Sequence, residues 1–279
     1  MAFLRDRFRE KRQNSSGDPD EFRLTFVEHL EELRDRLIRS IFILVVAWVA
    51  GWFLVPIIYA NMNGFIDKAV RAGLPDNVEY REVFSNATQP FMLKFRLSFM
   101  LGLAMAFPFL VLQLWGFIAP ALKPSEQKPF RALAPLSFLL FAMGAGFCWI
   151  ILPAAMAFFA SFVGEFQGVQ LYQEAGQMIF FCLKMMMAFG VAFQLPLVVY
   201  ALGALGLLSH QTLFKYWRQA TTVIFILSAV LTPSQDAFSM LMMAVPMVVL
   251  FLISAFVVRA TQRRKEAARE EPVPEYSLE

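Results

Sequence analysis

Long, mostly apolar stretches recur along the chain, and their length constrains the fold more than any other feature. An α-helix rises 1.5 Å per residue, so about 17–25 apolar residues cross the ~30 Å hydrocarbon core of a bilayer. Hydropathy and flanking charge place such runs at about 37–60, 97–118, 132–159, 177–205, 220–231 and 237–258. A membrane barrel would instead alternate over segments of ~10 residues, so the reading is an all-α integral membrane protein with about six crossings. With 58% hydrophobic residues, 17% charged residues and a mean hydropathy of +0.55, the composition excludes an ordinary soluble domain. The fifth and sixth runs are short for a span of ~20 residues, which predicts local thinning or tilt there.

Residues 1–21 are charged and then rich in Ser, Gly, Asp and Pro, and read as a disordered basic tail. The membrane domain is expected over 22–259, followed by a C-terminal tail over 260–279. The first apolar run begins only at Leu37, too late and too long for a cleaved signal peptide, so the N-terminus is expected to stay on the protein.

Short loops set the orientation. Arg34, Arg36 and Arg39 precede the first run, and Lys123, Lys128 and Arg131 separate the second and third. Lys215 and Arg218 lie between the fourth and fifth, and Arg259, Arg263, Arg264 and Lys265 follow the last. The alternate loops "SFVGEFQGVQLYQEAGQ" and "TPSQD" carry no Lys or Arg, so both termini are expected in the cytoplasm. The long first outward loop, Asn61 to Arg96, mixes both charges and predicts an extracytoplasmic cap of short amphipathic helices. Pro56, Pro108, Pro135, Pro153, Pro196 and Pro246 predict kinked spans, whose freed carbonyls neighbouring helices can re-satisfy.

The charged groups need a reason to be where they are. As a helix, Phe26 to Ile38 sets Phe26, Leu30, Leu33 and Leu37 on one side and Glu28, Glu32 and Asp35 on the other. Glu32 and Arg36 stand at i,i+4, a pairing distance on a helix. A solvated interfacial face accounts for Glu28, Glu31 and Asp35 as well as any ligand does. Glu126, among Lys123, Lys128 and Arg131, stands on the same cytoplasmic side and could simply balance charge.

Inside the membrane an ionisable group costs about 2.5–3.5 kcal/mol at a helix centre on insertion scales. Lys184 lies near the outward end of its run and can snorkel, whereas Gln194 is deep. An amide there clamps a neighbouring helix or the carbonyls freed by Pro196, and this reading is favoured over a ligand contact. Asp236, in the turn before the last run, is explained by capping that helix. Cys148 and Cys182 fall within apolar runs and read as buried free thiols. No HExxH, CxxC, Walker loop or Ser/His/Asp set occurs, so no catalytic residue, metal or cofactor is expected.

Four motifs in order, "HLEELRDRL", "LWGFIAPALKPSE", "MAFGVAFQLP" and "LTPSQDAFSMLMMAVP", resemble the TatC family, polytopic receptors of the twin-arginine protein translocase. The likeness runs from about Phe26 to Arg259. It implies a cupped six-helix bundle in the bacterial cytoplasmic (inner) membrane that receives the twin-arginine signal peptides of folded precursor proteins. It further implies TatB and TatA as partners, self-association in a multimeric receptor complex, contact with membrane lipids, no nucleic acid, and transport driven by the proton-motive force. The family's signal-peptide-binding positions map onto Glu32 and Glu126, with Arg34 the basic residue of the first motif and Phe117 the aromatic of the second. Two positions depart from the family pattern. Gln194 stands where a glutamate is frequent, so no titrating carboxylate can act there, and the Thr232 to Asp236 turn is one residue longer, which makes Asp236 the counterpart of the family's aspartate.

Arginine presents a planar fork that pairs two-pronged with carboxylate, which lysine cannot reproduce. Two carboxylates on a basic rim therefore suit a ligand with two guanidiniums, while the surrounding cations repel positive peptides that cannot pair closely. The alternative, a secondary transporter of a small solute, predicts internal repeats and ion-coordinating groups at the midplane. No repeat is evident, and Gln194 is the deep polar group found there.

Overall fold

The computed structural model describes residues 26–118, 124–166, 168–204, 207–232 and 236–270, excluding the side chains of 26–28, 118, 124–134, 204 and 264–270. The tail expected over 1–21 lies outside the described residues.

Helix α1 spans Phe26–Arg71, 46 residues, or about 69 Å at 1.5 Å per residue. It is far longer than a bilayer is thick, and it continues unbroken where the sequence suggested separate short helices. Its last turns carry Met62, Ile66, Ala69 and Val70, all buried, at helical spacing on one face. Strand β1 (Tyr80–Val83) follows, then α2 (Gln89–Ile118), α3 (Pro124–Ser161) with a 3₁₀ turn at Phe162–Glu165, and strand β2 (Leu171–Glu174). The chain ends with α4 (Gln177–Ala192), α5 (Leu195–Ala204), the short α6 (His210–Lys215), α7 (Trp217–Leu231) and α8 (Ala237–Glu270).

Among the described residues, five helical segments are long and apolar enough to cross a membrane, and the apolar α7 has 15 residues. The fourth run is two helices, because the chain breaks at Phe193 and Gln194 just before Pro196, whose ring cannot continue the ladder of the preceding turn. The final helix runs well beyond the apolar stretch expected to end at 258.

The all-α reading holds apart from two four-residue strands. They pair in parallel, Tyr80 opposite Leu171 and Val83 opposite Glu174, and tie the loop after α1 to the loop after α3. The loop expected to form a cap of short helices is thus an extension of α1 followed by a strand.

Helices α1 and α2 run antiparallel in close contact, since Cβ atoms at Gly51 and Gly102 would strike the facing backbone at Ser98 and Trp48. The Trp48 indole donates to Ser98 Oγ at 3.0 Å across the same crossing. The main core runs along the bundle, with Ile66 and Val70 of α1, Leu97, Leu152, Met156 and Ile179 towards the strand end and Leu213 and Val258 towards the other. A smaller cluster of Trp115, Leu197 and Ala201 lies towards the other end. Large apolar side chains such as Phe42, Phe53, Ile150 and Val230 point away from the bundle, as lipid-facing surface requires.

Candidate functional site

The start of α1 lies against the end of α2, with its polarity reversed relative to a soluble helix. Leu30, Leu33 and Leu37 are exposed, while Glu32 and Arg36 are largely covered, each with 22% of its side chain accessible. A soluble protein would bury the leucines. In a bilayer the leucines face lipid and the charged strip faces the neighbouring helix.

His29, Glu32 and Arg36 recur at i, i+3 and i+7, so they share one face of α1. The His29 ring stacks on Phe117 with centroids 4.3 Å apart. Arg36 donates to Glu32 Oε1 twice, from Nη2 at 2.6 Å and from Nε at 3.0 Å. The second oxygen, Glu32 Oε2, is buried and has no hydrogen-bond partner among the described residues. The Arg36 guanidinium rests over Gly116, where a side chain would displace it. One turn earlier on α2, Gln113 holds another buried oxygen, Oε1, with no partner among the described residues.

The other expected positions are dispersed. Arg34 points away from the α1–α2 seam and pairs with Asp35 at 3.3 Å, with 69% of its side chain exposed. Glu126 falls in the first turn of α3, after Pro124 at the helix start, where proline is tolerated and a carboxylate suits the helix dipole. Its side chain lies outside the described residues, so the structure brings Glu32 and Phe117 to one seam and leaves the place of Glu126 relative to them undescribed.

Gln194 is buried against α3. Its Oε1 accepts from Ser137 Oγ at 2.6 Å, and its Nε2 donates to the Ser137 carbonyl at 3.0 Å and the Gly190 carbonyl at 3.4 Å. Asp236 Oδ1 accepts from the Ser239 amide at 2.7 Å at the start of α8. Lys184 sits over the Phe180 ring at 4.4 Å, and Cys148 and Cys182 are buried free thiols.

A second polar cluster lies at the strand end. Glu82 accepts from Tyr59 at 3.0 Å and Tyr80 at 3.5 Å, and Asn63, with its amide nitrogen turned inward, donates at 3.1 and 3.2 Å. Burial raises the Glu82 carboxyl above its ordinary pKa, and the two tyrosine hydrogen bonds offset part of that rise. Arg71 is held by Asp67 at 2.9 Å rather than by Glu82. Among the described residues no three His, Cys, Asp or Glu side chains are grouped to hold a metal ion.

Sequence reasoning anticipated Glu32 and Phe117 but not Gly116 or Gln113. The signal available was the i, i+3, i+7 strip on α1, which requires a matching strip of small or polar residues on whichever helix covers it.

Known proteins resemble this chain over most of its length. The family model for the Sec-independent protein translocase protein TatC matches residues 28–246. The TatC of Carboxydothermus hydrogenoformans is 33% identical over 85% of this chain and 93% of its own, and that of Azotobacter chroococcum is 34% identical over 88% and 93%. A crystal structure of a twin-arginine translocase receptor, TatC, superposes with a TM-score of 0.70 at 28% identity, covering 84% of this chain and 99% of that one. The chain therefore belongs to the TatC family, as a multi-pass inner-membrane component of the Sec-independent protein translocase and not an enzyme.

Proposed function

We propose that this chain is the translocase's signal-peptide receptor, and that Glu32 and Glu126 pair with the two arginines of a twin-arginine signal peptide at the cytoplasmic face. Six crossings with both termini in the cytoplasm complete the reading, supported by the Lys/Arg bias of the alternate loops. TatB and TatA, further copies of the chain and the proton-motive force would then turn binding into export of a folded precursor.

The observation that carries this reading is the state of Glu32. A carboxylate largely withdrawn from water, with one oxygen lacking a partner, is a costly arrangement for an apo protein. A guanidinium supplies the missing donor. Arg34, exposed on the same turn, and Phe117, on the seam beside His29, are the neighbouring groups a peptide would meet.

The test is binding of a labelled twin-arginine signal peptide to the protein in nanodiscs. Truncating one partner of a partly desolvated charge pair costs about 2 kcal/mol or more, or roughly 30-fold in affinity. Glu32→Gln and Glu126→Gln should each weaken binding by about that much, and the double substitution should abolish it. Equal binding by all variants, and equal binding of arginine-pair and lysine-pair peptides, would place recognition elsewhere.

A further inference from the structure

The Glu32–Arg36 pair is incomplete in a particular way. A guanidinium meeting a carboxylate in the favoured two-pronged geometry uses both oxygens. Here the Nε and Nη2 edge of Arg36 converges on Oε1 alone and leaves Oε2 buried without a partner among the described residues. The guanidinium reaches this place because Gly116 offers no side chain. A second unfilled acceptor, Gln113 Oε1, lies one turn away on the same helix. The seam thus already holds one arginine, and it keeps acceptor oxygens that this arginine does not use.

We infer that Arg36 is a specificity-determining residue: a resident guanidinium, occupying Glu32 in the free receptor, with which an incoming arginine must exchange. This rests on the reading of Glu32 as a receptor carboxylate. Exchange of one guanidinium for another conserves charge and replaces like hydrogen bonds with like, so an arginine that also reaches Oε2 or Gln113 gains on the exchange. A lysine ammonium is a compact, strongly hydrated point charge whose three N–H groups diverge from one nitrogen and cannot reproduce the planar edge of two nitrogens, so the same exchange runs uphill for it. No proton moves, since a guanidinium stays charged throughout. Arg36 therefore lowers affinity for every cationic peptide, and for lysine peptides most, which converts a general preference for cations into a preference for arginine.

The experiment measures arginine-pair and lysine-pair signal peptides on the full chain in nanodiscs, comparing wild type with Arg36→Gln, Gly116→Ala, Arg39→Gln and Glu32→Gln. Arg36→Gln should tighten both peptides and shrink the arginine-over-lysine ratio by about tenfold. Gly116→Ala moves the guanidinium off the seam without changing any charge, and should shift the ratio in the same direction. Arg39→Gln removes an exposed cation from the same helix and should leave the ratio unchanged. The inference is overturned if Arg36→Gln weakens both peptides by one factor, or if Arg39→Gln shrinks the ratio as much. Should Glu32→Gln bind like wild type, the receptor reading itself fails. Loss of binding in Glu32→Gln with an unaltered ratio in both Arg36→Gln and Gly116→Ala would sink this inference alone.

Discussion

Replacing Gly102 by alanine should open the α1–α2 crossing and be felt at the far end of the seam. The added Cβ would stand 2.5 Å from Trp48 Cα and 2.7 Å from its nitrogen, both backbone atoms that cannot swing aside. Carbon atoms rest at about 3.5 Å, so the helices must separate locally by about 1 Å. Overpacking of this kind costs about 1–3 kcal/mol. At the 2–4 °C per kcal/mol typical of chains of this size, the melting temperature should fall by roughly 2–12 °C. The splay should also travel along a helix pair that is stiff over the ~21 Å separating residues 102 and 116, loosening the His29–Phe117 stack and the seat of Arg36. Gly146→Ala is the matched control, because nothing lies within 4 Å of its added Cβ. As an interior helical position it should be neutral or stabilising by up to about 1 kcal/mol. Thermal unfolding of both variants in the same detergent, with signal-peptide binding measured in nanodiscs, decides the matter. If Gly102→Ala melts with the control and binds normally, the close crossing does not hold the seam and the reasoning is wrong.

Two further outcomes follow from other contacts. Gln194→Leu removes two hydrogen bonds between the α4–α5 break and Ser137 of α3, with a third to the Gly190 carbonyl of α4, and should cost about 0.6–2 kcal/mol. A double-mutant cycle with Ser137→Ala should show clear coupling, and additive effects would refute a shared clamp. At the strand end, the raised pKa of Glu82 means that its contribution to folding is fully present below the ordinary carboxylate pKa and is lost as pH rises through the folded value. Amide exchange in Tyr80–Val83 and Leu171–Glu174, corrected for intrinsic rate, should therefore show greater protection in mild acid than near neutrality. Glu82→Gln should flatten that dependence, and an unchanged profile in the variant would remove Glu82 as its source.

The membrane class, the positions of the apolar runs and the shared face of Glu32 and Arg36 are legible in the sequence because each depends on local pattern. Bilayer thickness fixes run length, and H-x-x-E-x-x-x-R puts three functional groups on one helix face. The continuation of α1 to Arg71 was harder to see. Asn61, Asn63, Asp67 and Lys68 lower the hydropathy of that stretch, although Met62, Ile66, Ala69 and Val70 keep the helical period and are buried. The direction in which the charged face of α1 looks is not legible from α1 at all. The same amphipathic pattern buries leucine in water and carboxylate in lipid, and the covering helix decides the outcome. The two strands were out of reach because four residues are too few for a period, and each strand's only partner lies in a different loop.

That pairing has a consequence for how the protein is made. β1 leaves the ribosome with its edge unpaired, and its partner appears only at Leu171, after α2 and α3 have been synthesised. Two strands can pair only on the same side of the membrane, so the sheet cannot close until the two helices between them have been inserted and the loop that follows has returned to the side of β1. A chain inserted with one crossing missing or inverted would carry β2 on the opposite side from β1 and leave both strand edges unpaired. The sheet, small as it is, can form only when the chain between Val83 and Leu171 crosses the membrane so as to leave both strands on one side.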